Sequence, residues 1–269
     1  MGDELPTVLI GELYLGAGQK KEAGAYISEA VDVLQKRSLA QVEAGADAIT
    51  LNVSAAGVDE VELLPRAIQA LMATVDVPLG FDSANARALE AALKIYQGKP
   101  LINGVTGDEG SLAAILPLAK KYKAVVICQA RDSTQFPDTP DQRVAIARRI
   151  LERAETTGIP PEDVLIDCIT FSPAVQKYAG TVSFETIRRV NAELGVNTAI
   201  VDGHVTYGLP APDFLNYAFV AMSICCGVSC LLVDVTKVRT AVLAADVMVA
   251  RDQRSTRYVR AYRQMSKDK

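Results

Sequence analysis

Residues 77–103, VPLGFDSANARALEAALKIYQGKPLIN, contain the pattern that decides the fold. The stretch opens with a short apolar run at 77–82 and closes with another at 100–103. Between them, residues 86–96 carry apolar side chains at the i, i+3, i+4 spacing of a half-buried helix. Two short apolar runs joined by an amphipathic helix are typical of a parallel βαβ unit.

The same alternation continues in both directions along the 269 residues. Apolar runs predict strands at 8–11, 47–53, 77–82, 100–103, 124–129, 164–167, 198–202 and 230–234. Amphipathic segments predict helices at 25–44, 63–73, 86–96, 112–122, 142–156, 184–194, 213–225 and 239–249. Strict alternation and a length near the roughly 250 residues of one barrel predict a single (β/α)8 TIM-barrel domain over residues 1–269. An open doubly wound sheet would look similar, but no G-x-G-x-x-G follows the first run.

Charge and composition limit the kinds of molecule that the protein is expected to bind. A formal net charge of -4 argues against nucleic-acid binding, which requires basic stripes. The apolar stretch 219–233 is shorter than the ~20 residues of a membrane span, so no membrane partner is expected.

An odd set of 5 cysteines and a polar stretch at residues 1–6 favour a cytoplasmic location. No metal site is predicted, because Cys225, Cys226 and Cys230 form no C-x-x-C pair and the chain has 1 histidine.

Polar residues recur where the predicted strands end. They are Glu12, Asn52, Asp82, Asn103, Gln129, Asp167, Asp202 with His204, and Asp234. In a barrel these ends share one rim, where ligands bind. Each residue taken alone is also explained as a cap on the next helix. Taken together, they indicate a polar ligand rich in hydrogen-bonding groups, because buried polar groups need partners.

Carboxylates and amides in this arrangement suit a 2-amino-4-oxo pyrimidine, the head group of a pterin. A carboxylate accepts two N–H bonds from an amino group and the adjacent ring nitrogen, and an amide both donates and accepts. Other amide-rich heterocycles would fit equally well on these grounds.

Six short strings carry a family resemblance: VLIGE, ITLNV, FDSAN, LING, LIDC and VDGHVTYGLPA. In this order they resemble the pterin-binding methyltransferases over residues 8–234, most closely the corrinoid-dependent methyltransferases that use tetrahydrofolate. The resemblance implies methyl transfer between a methylcorrinoid, carried by a separate corrinoid protein, and N5 of tetrahydrofolate. It also implies a homodimer. The loop at 131–140 is a candidate lid over the site or docking loop for the corrinoid protein, or a plain surface turn.

The resemblance assigns the pterin to Asp82, Asn103 and Asp167, with the rest of the rim around it. Two positions depart from the family pattern. Thr50 stands where the family has Asp before Leu-Asn, and His204 occupies the slot of the Asn that faces N5. As an acid–base group at that slot, His204 is the predicted catalytic residue.

Other functions stay open at this point. Dihydropteroate synthase is a more distant relative, but its Ser-Arg-Lys on strand seven and Ser-Thr-Arg-Pro on strand two are missing here. A barrel enzyme acting on a phosphorylated substrate would need Gly-rich loops after strands seven and eight, and VDVTK follows strand eight. A pterin-binding protein without catalytic activity is the remaining alternative.

Overall fold

The computed structural model describes residues 5–14, 23–133, 137–201 and 204–265, with backbone only for 23–30 and 265. Its strands are β1 Val8–Tyr14, β2 Ala48–Asn52, β3 Leu79–Asp82, β4 Leu101–Thr106, β5 Val125–Gln129, β6 Val164–Asp167, β7 Asn197–Val201 and β8 Cys230–Val233. Each strand pairs in parallel with the next, and β1 also pairs with β8, which closes the sheet. The predicted (β/α)8 barrel is confirmed, and the open sheet is excluded.

The helices are α1 Ala23–Glu43, α2 Glu60–Met72, α3 Ala86–Ile95, α4 Glu109–Tyr122, α5 Pro140–Thr157, α6 Ala179–Arg189, α7 Pro212–Cys225, α8 Val235–Met248 and α9 Thr256–Met265. A π-helical segment, Val190–Leu194, continues α6. Two helices, α2 and α5, begin earlier than the apolar pattern predicts because their first turns are polar and capped. Thr139 caps α5 in a capping box with Gln142, and Asp59 caps α2.

The C-terminal part of the chain contains α9, which lies beyond the last helix that the apolar pattern predicts. Asp252 starts this helix by accepting hydrogen bonds from the backbone N–H groups of Arg257 at 3.0 Å and Tyr258 at 2.9 Å. In the described part of the chain, no helix is both long and apolar enough to cross a bilayer.

Alternation along the strands separates two apolar layers. One set of side chains, including Phe81, Ile102 and Val126, packs outward against the helices in the main core. The alternate set, including Ile127 and Leu232, forms a second cluster that fills the barrel interior. Toward the carboxyl ends of the strands, the side chains of this second set change from apolar to polar. The fold therefore delivers the strand-end polar groups into the interior, above an apolar floor.

Candidate functional site

A cavity of about 490 Å³ opens at the carboxyl ends of the strands. Its walls include these residues predicted from sequence: Glu12, Asn52, Asp82, Asn103, Gln129, Asp167 and His204. Of the remaining predicted residues, Asp202 lies outside the described part of the chain, and Asp234 does not line this cavity. The structure thus brings most of the predicted rim together around one space.

Three polar residues stand side by side on β2, β3 and β4. Strand register pairs Asn52 with Asp82, and Asp82 with Asn103. The Asn52 amide donates a hydrogen bond to the Asp82 carboxylate, and its Oδ1 accepts the N–H of Ser54 at 2.8 Å. Asn103 Oδ1 accepts the N–H of Gly104 at 2.8 Å. These internal bonds fix the orientation of the two amides before any ligand arrives.

The Asp82 carboxyl has an electrostatically unfavourable environment. Burial raises its pKa and Glu60 raises it further, while the hydrogen bond from Asn52 lowers it. Gly104 passes close by with φ of 91°, beside the register shift between β4 and β5. A Cβ at residue 104 would lie 3.1 Å from Asp82 Oδ1, so glycine leaves the space that this carboxylate occupies.

Asp167 and Gln129 form the opposite wall, on β6 and β5. They are register partners, and Asp167 is only 3% exposed. Burial raises the pKa of Asp167 to about 6, although the Ile169 N–H, Arg143 and Arg131 favour its ionised form. Its Oδ1 accepts the Ile169 N–H at 2.9 Å. At neutral pH this carboxyl is therefore mostly ionised, at an energetic cost that a hydrogen-bonding ligand would reduce.

His204 and Glu12 occupy the side of the cavity formed by β7 and β1. His204 lines the cavity and is exposed at the surface, just beyond β7. Glu12 lies within β1 rather than after it, because that strand continues to Tyr14. An exposed imidazole at the cavity wall is accessible both to a ligand and to solvent, as a proton-transferring group must be.

Asp234 is the rim residue whose side chain binds neighbouring helices instead of facing the cavity. It occupies the N-cap position of α8, although its side chain makes no capping hydrogen bond to the backbone of that helix. Its Oδ1 accepts hydrogen bonds from Gln41 Nε2 at 2.8 Å and Thr236 Oγ1 at 2.6 Å. The Asp234 side chain thus joins α8 to α1 and does not contribute to the cavity wall.

Sequence reasoning placed Arg131 in the candidate lid or docking loop at 131–140, whereas the structure places it in the cavity wall. It did not single out these further wall residues: Tyr14, Ser54, Ser83, Thr170 and Phe171. Arg131 Nε donates to Gln129 Oε1 at 2.6 Å, so the guanidinium orients that amide. Ser83 donates to Glu60 Oε2 at 2.5 Å behind Asp82. Their signal in the sequence is weak, since each is a single polar or aromatic residue just after a strand.

The chemistry of this wall favours a flat, nitrogen-rich ligand. Three carboxylates supply acceptors and three amides supply both donors and acceptors, all lining the same space. In the ranges that the structure describes, His, Cys, Asp and Glu form no group of three or more that could hold a metal ion.

Comparison with known proteins agrees with this chemistry. The profile of the family described as pterin binding enzyme matches residues 17–234. A methylcorrinoid:tetrahydrofolate methyltransferase from Eubacterium limosum is 24% identical over 238 residues, covering 86% of this chain and 87% of that protein.

Similar solved structures include two dihydropteroate synthases. The Clostridium difficile protein, determined in the presence of pteroic acid, has a TM-score of 0.69 and 22% identity, covering 90% of this chain and 97% of that one. The Anaplasma phagocytophilum protein, with bound 6-hydroxymethylpterin-monophosphate, has a TM-score of 0.69 and 18% identity, covering 91% and 100%. At these identities the structural likeness establishes the fold alone. Because the family profile spans most of the sequence, the chain belongs to the family of pterin binding enzymes.

Proposed function

We propose that this protein is a methyltransferase that moves a methyl group between a methylcorrinoid, held by a separate corrinoid protein, and N5 of tetrahydrofolate, forming 5-methyltetrahydrofolate. The observation that carries the proposal is the set Asp82, Asn103 and Asp167, which face one cavity in a pterin binding enzyme. The methylcorrinoid:tetrahydrofolate methyltransferase from Eubacterium limosum supports the choice of reaction.

The proposed contacts follow from donor and acceptor types. Asp167 and Asp82 accept the N–H groups of the pterin 2-amino substituent and ring nitrogens. Asn103 pairs with a neighbouring N–H and carbonyl, because an amide supplies both partners. The remaining members of the proposed pterin-contacting set are Asn52, Gln129, Glu12 and Asp202.

His204 is the proposed catalytic residue, acting on the proton at N5. In the direction of folate methylation, the N5 lone pair attacks the methyl carbon and the cobalt–carbon bond breaks with its electron pair left on cobalt. N5 then loses its proton, and His204 at the cavity wall accepts it. In the reverse direction the protonated imidazole donates to N5 and makes it a better leaving group.

The corrinoid is proposed to approach from outside the barrel. A cavity of about 490 Å³ is within the roughly 300–1,000 Å³ range of pockets for one small ligand, which the pterin would occupy. We further propose a single-domain protein that works in the cytoplasm as a homodimer, with the polar segment at 131–140 as a docking element for the corrinoid protein. Residues 134–136 of that segment lie outside the described residues.

Because the chain shares its fold with dihydropteroate synthases, the reaction of that enzyme is a second candidate. The residues of this chain favour methyl transfer. Thr50 and Asn52 lie on β2, where that enzyme has Ser-Thr-Arg-Pro, and no Ser-Arg-Lys follows β7. A protein with His204 and no lysine at that end of β7 has a group suited to moving a proton at N5.

The test is to mix the purified protein with methylcob(III)alamin and tetrahydrofolate and to follow the cobalamin absorbance without oxygen. Methylcob(III)alamin should convert to cob(I)alamin only when tetrahydrofolate is present, with 5-methyltetrahydrofolate formed in equal amount. Tetrahydrofolate binding without demethylation, also with a corrinoid protein as donor, would identify a non-catalytic pterin-binding protein and reject the proposal.

A further inference from the structure

Arg143 of α5 is a charged residue on the buried face of a helix. It lies one and two turns before Ala147 and Ile150 on the apolar stripe, and its side chain is 0% exposed. Taking a guanidinium out of water is costly unless hydrogen bonds compensate. In the described part of the chain, no carboxylate forms an ion pair with it, and its Nη2 is buried without a hydrogen-bond partner. Simple stabilisation of the core does not account for this residue.

Arg143 donates mainly to main-chain carbonyls, and its Nη1 also donates to the Ser183 hydroxyl of α6 at 3.4 Å. Nη1 donates to Cys168 O at 2.9 Å and to Ile169 O at 2.8 Å, and Nε donates to Pro137 O at 3.0 Å. The guanidinium also faces the Phe171 ring, 5.9 Å from its centroid. One side chain thus joins the segment that follows β6 to the segment that precedes α5.

The segment after β6 holds a strained residue. Ile169 has φ of 56°, a left-handed conformation that is unfavourable for a β-branched side chain. In this conformation its N–H donates to Asp167 Oδ1 at 2.9 Å. Its carbonyl accepts hydrogen bonds from Arg143 and, at 2.6 Å, from Ser183 Oγ of α6. The bonds to the carbonyl hold the turn that aims the N–H at the carboxylate.

We propose that Arg143 is a positioning residue for pterin recognition: it fixes the turn at Ile169 and thereby orients the Asp167 carboxylate toward the ligand. The inference rests on the proposed function, since it presumes that Asp167 contacts a pterin. Arg143 does not line the cavity and acts only through the turn. Ser183 assists it from α6 through the same carbonyl.

Two substitutions of Arg143 separate geometry from charge. Lysine keeps the positive charge but lacks the planar fork that bonds two carbonyls, so Arg143→Lys should weaken tetrahydrofolate binding about tenfold. Arg143→Met removes the charge as well. The pKa of Asp167 then rises further, so the loss of binding on acidification should begin at higher pH than in the wild type. The other groups that act electrostatically with Asp167 are Arg131, Asp82, Cys168 and Cys230.

A milder pair of variants covers the case in which the Arg143 variants do not fold. Ser183→Ala removes the hydroxyl that bonds Ile169 O. Thr186→Val is the matched control, because Thr186 is equally buried on α6 but its hydroxyl bonds only Val182 O of the same helix at 2.7 Å. Ser183→Ala should weaken binding several-fold, whereas Thr186→Val should leave it unchanged even where both lower the melting temperature.

The measurement is titration calorimetry with tetrahydrofolate from pH 5 to 8, with circular dichroism to verify folding. Folded Arg143→Lys and Ser183→Ala proteins that bind with wild-type affinity would overturn the inference. Should the Arg143 variants fail to fold, Ser183→Ala with an affinity equal to that of Thr186→Val would also overturn it. A wild-type protein that does not bind tetrahydrofolate would instead refute the proposed function, so the two failures are distinguishable.

Discussion

Replacing Asp167 by Asn should weaken ligand binding and at the same time stabilise the free protein. The substitution keeps the size of the side chain and an oxygen to accept the Ile169 N–H, which lies at 2.9 Å. It removes the charge and one acceptor. Loss of a hydrogen bond to a charged group costs about 1.5–3 kcal/mol, so the affinity for tetrahydrofolate should fall about 10- to 150-fold.

The gain in stability follows from the pKa of Asp167, which burial raises from 3.8 to about 6. At about 1.36 kcal/mol per pKa unit, ionised Asp167 destabilises the folded protein by about 3 kcal/mol above pH 6. Because the folded-state pKa is the higher one, this penalty is complete above about pH 6 and disappears as the pH falls toward 4. Asp167→Asn should therefore raise the free energy of unfolding by about 1–3 kcal/mol at pH 7.5 and by under about 1 kcal/mol at pH 4.5.

The assay combines urea denaturation at the two pH values with titration calorimetry at pH 7.5. Glu62→Gln is a suitable control, because Glu62 forms an exposed ion pair with Arg66 one turn along α2, and its loss should change both quantities little. A variant at residue 167 that binds with wild-type affinity and is no more stable at pH 7.5 would refute the reasoning about both the contact and the burial.

Three further substitutions test separate parts of the molecule. His204→Ala should lower turnover about 10²- to 10⁴-fold with tetrahydrofolate affinity nearly unchanged, and equal losses in steady-state and binding measurements would mean that His204 only shapes the cavity. Gly104→Ala should lower both affinity and melting temperature, because the new methyl group would lie 3.1 Å from Asp82 Oδ1 at a backbone φ of 91°; wild-type values would contradict this. Asp246→Ala should lower the free energy of unfolding in urea denaturation by about 3–5 kcal/mol, because the buried Asp246 carboxylate forms an ion pair with Arg257 at 3.5 Å and accepts hydrogen bonds from Thr7 at 2.6 Å and 3.1 Å. The folded fraction should keep its affinity for tetrahydrofolate.

The sequence predicted the barrel because hydrophobic periodicity is a local property that repeats in each unit. Helix starts were less predictable, since a first turn such as that of α5 is polar and is stabilised by a cap rather than by burial. The capping box of Thr139 and Gln142 matches the sequence pattern S/T-x-x-E/Q, so this helix start is predictable when that pattern is looked for. The helix α9 depends on Asp252, whose buried position cannot be inferred from a charged stretch.

The candidate site likewise has features that the sequence predicts and features that it does not. Strand ends meet at one face of any parallel barrel, so the residues that ring the cavity were accessible from sequence. The sequence does not show whether a strand-end acid faces the cavity or binds a neighbouring helix. Asp234 illustrates this, because it accepts a hydrogen bond from Gln41, 193 residues away. Arg143 had a readable signal, a cation on the apolar stripe of α5, but its role depends on the φ of Ile169, which no periodicity encodes.

The alternation of side chains along the strands explains why the candidate site is selective for its ligand and why its charge destabilises the unliganded protein. Leu165 and Asp167 lie two residues apart on β6 and therefore point to the same side, as do Ile127 and Gln129 on β5. The positions that fill the barrel interior with apolar side chains thus continue directly into those that carry the polar ring. A carboxylate on such a floor is poorly hydrated, which raises its pKa and strengthens any hydrogen bond it accepts from a ligand. The ionised carboxylate therefore destabilises the unliganded barrel, and ligand binding removes part of this unfavourable free energy.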